Sequence, residues 1–366
     1  MKILVKLNKS GEIMSNLSKD REYELVGFYA KSNQYIGTHQ EGLPVYSIYE
    51  AVEMYKQSIV STLVINGNIS LDGVKSDVRA LKSYGVQMND ILVALPEFIE
   101  HGGTENLVSF REYHRLPYME YHVADHCNLN CRGCVHFSPL AGKDKFPVYE
   151  HMEKDLRQLK KIVSYIDKIR ILGGEPLLNP ELPLYMKLTR EVYPYATISI
   201  VTNGLLLSTI DFWDYFIKYR INVDISLYKP IFNKAGKMMK MLQEKGIVFS
   251  ISEPIEEFSY ALDKNSGHAR FAYRHNCSCP NLYEGGVYVC PIIAYVKYFN
   301  HAFNYQFNDN DGKIDIYDRN MDFTRLNDEL HKVRKMCDNC LYISGEHIVT
   351  QPWSQTTKAK ASDYMI

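Results

Sequence analysis

No stretch of this 366-residue sequence approaches about eighteen uninterrupted apolar residues, so nothing in it reads as a membrane-spanning helix. An excess of either charge is missing too: 42 Lys and Arg stand against 43 Asp and Glu, for a net charge of -1 at pH 7. That balance, with no long basic run, supplies no electrostatic footprint for nucleic acid or an anionic membrane. Tryptophan is scarce, with only Trp213 and Trp353, and both read as packing residues. The start, Met1-Lys2-Ile3-Leu4-Val5, soon turns polar and lacks the apolar core of a secretory signal, so a cytoplasmic location is expected. Without such a signal, eight cysteines at short spacings do not suggest a disulfide framework; they read as metal or cluster ligands in a reducing compartment.

What the chain does have is a 46% hydrophobic content, ample for packed cores, and a length that predicts two or three domains. Residues 1–110 alternate short apolar runs (26–30, 61–65 and 90–94) with helical patterns over 48–57 and 74–83, which implies a parallel sheet. The stretch Gly42-Leu43-Pro44-Val45-Tyr46-Ser47 and its surroundings look like the small Rossmann-type domain at the front of some sugar-modifying enzymes. Its first turn, however, supplies only Gly11, whereas a backbone that approaches a pyrophosphate needs several glycines. A degenerate nucleotide-binding domain is therefore expected, with a docking or partner-recognition role or as an inert structural lobe, followed by a linker at His101-Gly102-Gly103-Thr104. Residues 111–265 repeat a strand-helix unit, with strands expected over 118–124, 168–172, 197–202, 221–227 and 247–251. Such recurrence predicts a partial parallel barrel, with reactive groups on loops at the carboxyl ends of strands. Beyond about residue 265 the repeat breaks down and cysteines return.

After the first expected strand comes His126-Cys127-Asn128-Leu129-Asn130-Cys131-Arg132-Gly133-Cys134, and after the second comes Gly173-Gly174-Glu175-Pro176. Three thiolates leave the fourth position of a tetrahedral site open. A structural zinc site could close it with His122, His126 or His136. The two motifs in this order resemble the CxxxCxxC loop and the GGEP motif of the radical S-adenosylmethionine (SAM) superfamily. The resemblance implies an α/β fold: a partial (β/α)6 TIM-type barrel with a Rossmann-like α/β domain in front and an auxiliary cluster domain behind. It also implies a SAM-binding 4Fe-4S cluster on Cys127, Cys131 and Cys134, whose open iron chelates SAM and yields a 5′-deoxyadenosyl radical on one-electron reduction. Glu175 is expected to accept hydrogen bonds from the SAM ammonium, with Gly173 and Gly174 letting the strand edge come close and Pro176 completing the cofactor-binding motif. By the same resemblance Thr202, Asn203 and Ser226 hold the SAM ribose and carboxylate. Where the family often has an aromatic against the adenine, this sequence has Gly133, and Phe137 is the expected substitute.

The later cysteines are Cys277, Cys279 and Cys290, the last beyond a Gly285-Gly286 hairpin turn, and then Cys337 and Cys340. Spacing alone slightly favours zinc. Beside a radical SAM core, the set resembles the twitch domain, the short form of the SPASM extension, over 266–366. This implies a second, auxiliary 4Fe-4S cluster on Cys279, Cys290, Cys337 and Cys340, with Cys277 left as a spare thiol near the substrate. Enzymes of that architecture lead to an expected oxidoreductase or epimerase: hydrogen abstraction from a sugar, cyclitol or polyol-type small molecule. In the epimerase branch Cys277 returns the hydrogen atom. The electron comes from an external donor such as flavodoxin or ferredoxin. A peptide-modifying maturase and a non-enzymatic zinc or iron-sulfur scaffold stand as alternatives.

Overall fold

The computed structural model describes residues 1–7, 23–67, 71–101, 103–269, 279–309, 311–343 and 349–366. They form two compact units, Met1–Pro117 and Tyr118–Ile366.

The first unit contains β1 (Lys2–Lys6), β2 (Glu24–Ala30), β3 (His39–Gln40), β4 (Leu43–Ser47), α1 (Ile48–Lys56), β5 (Thr62–Asn66), α2 (Leu71–Ser83), β6 (Ile91–Ala94), α3 (Pro96–His101) and β7 (Leu107–Ser109). Its sheet order is β3-β4-β2-β1-β5-β6-β7. The central strands β4, β2, β1, β5 and β6 are parallel, and β3 and β7 close the edges antiparallel. This is the doubly wound order, whose switch point lies between β1 and β5. A reciprocal capping box starts α1: Ser47 Oγ accepts from Glu50 N–H, and Glu50 accepts from Ser47 N–H. At the carboxyl end of β1, the Lys6 ammonium is tied to Asp77 of α2, which also takes Lys31 at 2.6 Å. The first turn, with Gly11, lies outside the described residues.

The second unit continues through β8 (Arg115–Ala124), α4 (Tyr149–Ile162), β9 (Tyr165–Gly173), α5 (Leu182–Val192), β10 (Thr197–Thr202), α6 (Trp213–Lys218), β11 (Ile221–Ile225), α7 (Ala235–Glu244) and β12 (Phe249–Ile251). The strands lie side by side in the order β12-β11-β10-β9-β8, with parallel register from β9 to β12. The barrel wall is therefore five consecutive strands among the described residues, where six are expected. On the outer side of β8 the sheet continues into β14 (Asn281–Tyr283), parallel to β8 through Asn281 and Glu120, then the hairpin partner β15 (Gly286–Tyr288) and β16 (Lys313–Asp315). Before β14 comes β13 (Glu257–Ser259), which pairs instead with β17 (Thr350–Pro352). Two further helices, α8 (Pro291–Phe303) and α9 (Phe323–Leu330), complete the unit. The segment after residue 265 thus extends the barrel sheet itself.

Alternation along the strands gives this sheet two unlike faces. Ile169, Ile171, Ile198, Ile200, Val223 and Ile225 form the buried one. Tyr121 shares it and meets Tyr185 and Thr189 of α5. The other face carries Lys168, Arg170, Ser199, Asn222, Asp224 and Ser250, brought into line by the strand register. Asp224 accepts from Lys168 at 2.9 Å, Arg170 at 3.1 Å and Ser250 at 2.8 Å. Tyr118 donates to Glu120, which also accepts from Asn281.

Candidate functional site

The cysteine loop begins where β8 ends. Gly174 N–H donates to Ala124 O at 2.7 Å and Glu175 N–H to His126 O at 3.0 Å, so the end of β9 is fastened to the loop. Gly173 has φ +149°, and a Cβ there would stand 1.9 Å from Ala124 O; at Gly174 it would meet His126 O at 2.1 Å. Both glycines are therefore required by close backbone packing between the two motifs. Pro176 opens a short 3-10 turn (Pro176–Leu178). Asn179 then donates to Val123 O at 2.6 Å.

Glu175 is fully buried. Its carboxylate accepts from Leu177 N–H at 3.1 Å, Thr202 Oγ1 at 2.7 Å and Asn203 N–H at 2.8 Å. Burial pushes its pKa up to about 7 against the pull of these donors. Three of about four acceptor positions on the carboxylate are thereby filled by protein. Asn203 in turn donates to Asn128 Oδ1 at 2.7 Å and lies 3.6 Å from Cys127 Sγ. Ser226 N–H donates to Thr202 O at 2.9 Å. The expected residues Glu175, Thr202, Asn203 and Ser226 are thus gathered at one edge of the sheet beside Cys127. Phe137 is not with them. Its ring is buried against Phe299 and Tyr364, so packing takes the faces that an adenine contact would need.

Around the thiols the C-terminal segment makes contacts that the sequence reading missed. Residues 353–356 run along the loop: Arg132 N–H donates to Ser354 O, Thr356 N–H donates to Asn130 O, and Cys131 bridges Gln355. Arg132 pairs with Asp363 at 2.8 Å. Gly133, at φ +71°, leaves room where a Cβ would meet Gln351 Nε2 at 2.5 Å. Trp353 donates its indole N–H to Cys131 Sγ at 3.2 Å and stacks on Tyr228. Trp353, expected to be plain packing, is thus a donor to a thiol, and the tail near Lys358 and Lys360 is not wholly solvated. Those lysines are exposed, but Asp363 and Tyr364 beside them are buried.

The residues fit a metal cluster. Burial pushes the thiols of Cys127 and Cys131 up to about 12, a penalty that bound iron would reverse. Two buried hydroxyls in this region, those of Ser354 and Tyr364, have no hydrogen-bond partner among the described residues. The imidazoles considered as a fourth ligand are engaged elsewhere. His122 Nδ1 is 2.8 Å from Asp125, its Nε2 is 2.8 Å from His136, and His126 Nδ1 is 3.3 Å from Lys145 O. Among the described residues no three His, Cys, Asp or Glu side chains form a group able to hold a single metal ion.

Cys279, Cys290, Cys337 and Cys340, far apart in sequence, line one cavity of about 330 Å³ with Ile292, Ile293 and Met336 among its walls. Cys277 lies outside the described residues. A larger cavity of about 430 Å³, walled by Asp155, Tyr283 and Tyr317 among others, contains none of the thiols.

A three-thiol loop at the end of a barrel strand, braced by Gly-Gly-Glu-Pro, defines a cluster-binding parallel α/β barrel. Residues 121–230 match the Radical SAM superfamily, and the chain carries a radical SAM domain, whose members use a 4Fe-4S cluster and SAM. GTP 3′,8-cyclase of Sulfurimonas denitrificans is 33% identical over 126 residues, covering 33% of this chain and 39% of that protein. The 7,8-dihydro-6-hydroxymethylpterin dimethyltransferase of Methanocaldococcus jannaschii is 31% identical over 90 residues, covering 25% of this chain and 18% of that protein. The chain thus spans less than half the length of these relatives. Among solved structures, BtrN in complex with AdoMet and 2-DOIA is 17% identical with a TM-score of 0.37, covering 64% of this chain and 97% of that one.

Proposed function

We propose that this chain cleaves SAM reductively and takes a hydrogen atom from a sugar, cyclitol or related polyol, oxidising it. The observation that carries the reading is the joining of Cys127 to Glu175, Thr202 and Asn203 through one hydrogen-bond network at the strand ends. Cys127, Cys131 and Cys134 would hold the cluster. When bound, cluster and SAM supply a 5′-deoxyadenosyl radical able to abstract hydrogen from an unactivated carbon. The protein's part is binding and orientation. Glu175 keeps about one acceptor position for the SAM ammonium, while Thr202 and Asn203 fix the carboxylate that offers it. Asn203 and Ser226 are the proposed contacts to the rest of SAM.

A polyol suits the polar face of the barrel sheet, where Tyr118, Glu120, Arg170, Asp224 and Ser250 offer donors and acceptors of both charges. Dehydrogenation is favoured because Cys279, Cys290, Cys337 and Cys340 share one cavity, and a second cluster held there would supply an electron acceptor. Epimerisation rests on Cys277, which lies outside the described residues. The test is anaerobic reconstitution, reduction and incubation with SAM. 5′-deoxyadenosine and methionine should accumulate with wild type and not with Cys131→Ala. Incubation with a panel of cyclitols and amino sugars should then give one ketone per SAM consumed. No SAM cleavage by iron-loaded wild type would sink the proposal, and turnover of peptides alone would sink its substrate class.

A further inference from the structure

The C-terminal segment brings two donor groups to the thiols. Trp353 N–H is 3.2 Å from Cys131 Sγ. The Tyr364 hydroxyl is buried and, among the described residues, has no hydrogen-bond partner. Tyr364 follows Asp363, whose carboxylate pairs with Arg132 between Cys131 and Cys134, and its ring lies against Phe137 just beyond Cys134. Both rings are fixed from behind, Trp353 by stacking on Tyr228 and Tyr364 by Phe137 and Phe299. The backbone is held as well, by the contacts of Ser354 and Thr356 with the loop and by the Arg132–Asp363 pair. Hydrogen bonds to cluster sulfurs and exclusion of water both set reduction potential.

We propose that residues 353–364 form a donor cap over the three-cysteine site, in which Trp353 and Tyr364 are positioning residues that raise the reduction potential of its cluster by donating to sulfur. This rests on the reading of Cys127, Cys131 and Cys134 as cluster ligands. A donor stabilises the more negative, reduced cluster, so each lost donor makes reduction harder. The cap also explains why Gly133 stands where the loop is most crowded: Gln351 and the Asp363 carbonyl occupy the space of a side chain.

The test is redox titration of the full-length reconstituted protein, followed by the EPR signal that changes when SAM is added, which singles out this cluster. Trp353→Phe and Tyr364→Phe should keep the cluster but shift its midpoint to more negative potential, and the double variant should shift it further. Tyr49→Phe, at an exposed position of the first unit, should leave the midpoint in place. Unchanged midpoints in both single variants with intact clusters would overturn the cap alone. Wild type that takes up no cluster on these cysteines would overturn the underlying reading and the cap with it. A second measurement does not depend on the donor variants folding: in Trp213→Phe, Trp353 is the sole indole emitter. Its fluorescence should fall on cluster loading and return on chelation, and emission indifferent to loading would place the indole away from the cluster.

Discussion

The two thiol sets of the second unit have the same ligand chemistry and opposite surroundings. Cys127 and Cys131 stand among donors: Leu129 N–H lies 3.4 Å from Cys127 Sγ, Asn203 3.6 Å from the same sulfur and Trp353 3.2 Å from Cys131 Sγ. Cys279, Cys290, Cys337 and Cys340 line a cavity walled largely by Ile292, Ile293, Ile343 and Met336. Three ligands in a polar setting would leave a metal vertex for a polar cosubstrate, whereas four in an apolar setting would close a site. The proposed division between a SAM-binding and an auxiliary cluster rests on that difference.

The largest effect should come from breaking the first set. Cys131→Ala should abolish SAM cleavage entirely and lower bound iron from about eight to about four per chain, the content of one 4Fe-4S cluster. The reciprocal change sharpens the contrast. Cys337→Ala should also remove about four irons yet leave reductive cleavage of SAM to 5′-deoxyadenosine in place, while ketone formation falls by at least about tenfold. Iron analysis and product chromatography on the two variants decide the matter. If SAM cleavage is lost equally in both, the two sets do not have separate roles.

How much of this was legible in the sequence follows from the range of the interactions. Cys127, Cys131 and Cys134 lie within one loop, and Gly173 to Pro176 follow one strand, so local spacing was enough to find them. The strands ending at Thr202 and Ile225 could be placed because their apolar residues alternate with polar ones. The Trp353 contact with Cys131 joins residues 222 apart, and nothing in the neighbourhood of either signals the other. Phe137 failed as an adenine contact for a related reason. Its partners, Phe299 and Tyr364, lie far along the chain, and distant packing decides which way an aromatic turns. Among the described residues the barrel sheet runs over five consecutive strands, β8 to β12. β13 turns away to pair with β17, a choice made by a partner about ninety residues on.

A smaller effect probes the hydrogen-bond network at the first set. Glu175→Gln keeps the shape of the side chain but removes its capacity for negative charge and turns one acceptor into a donor facing Thr202 or Asn203 N–H. The cost of one mispaired buried hydrogen bond, about 1–2 kcal/mol, corresponds to roughly tenfold weaker SAM binding. Equilibrium dialysis of the iron-loaded variant against SAM would measure it. The cavity lined by the second thiol set includes none of these groups among its walls, so iron held there should be unchanged; loss of iron from both sets would mean that Glu175 supports the barrel as a whole.

The smallest expected effect belongs to the polar face of the barrel sheet, which separates a defect in folding from a defect in either cluster. Burial raises the Asp224 pKa, but Lys168, Ser250 and Arg170 outweigh it and hold the carboxylate below its ordinary value. A depressed folded pKa means that the carboxylate contributes stability above the unfolded value of about 3.8 and loses it as pH falls through the folded value. Lys168 and Arg170 are each about a third exposed, so screening reduces the pair energies, and Asp224→Asn should cost about 1–2 kcal/mol near neutral pH. Denaturant unfolding of wild type and variant from pH 7 down to about pH 3 should show the two curves converging at the acid end, because protonation takes from wild type what the substitution has already removed. A gap that stays constant with pH would mean that the carboxylate's charge is not what holds Lys168 and Arg170, and that their place on this face is set by packing alone.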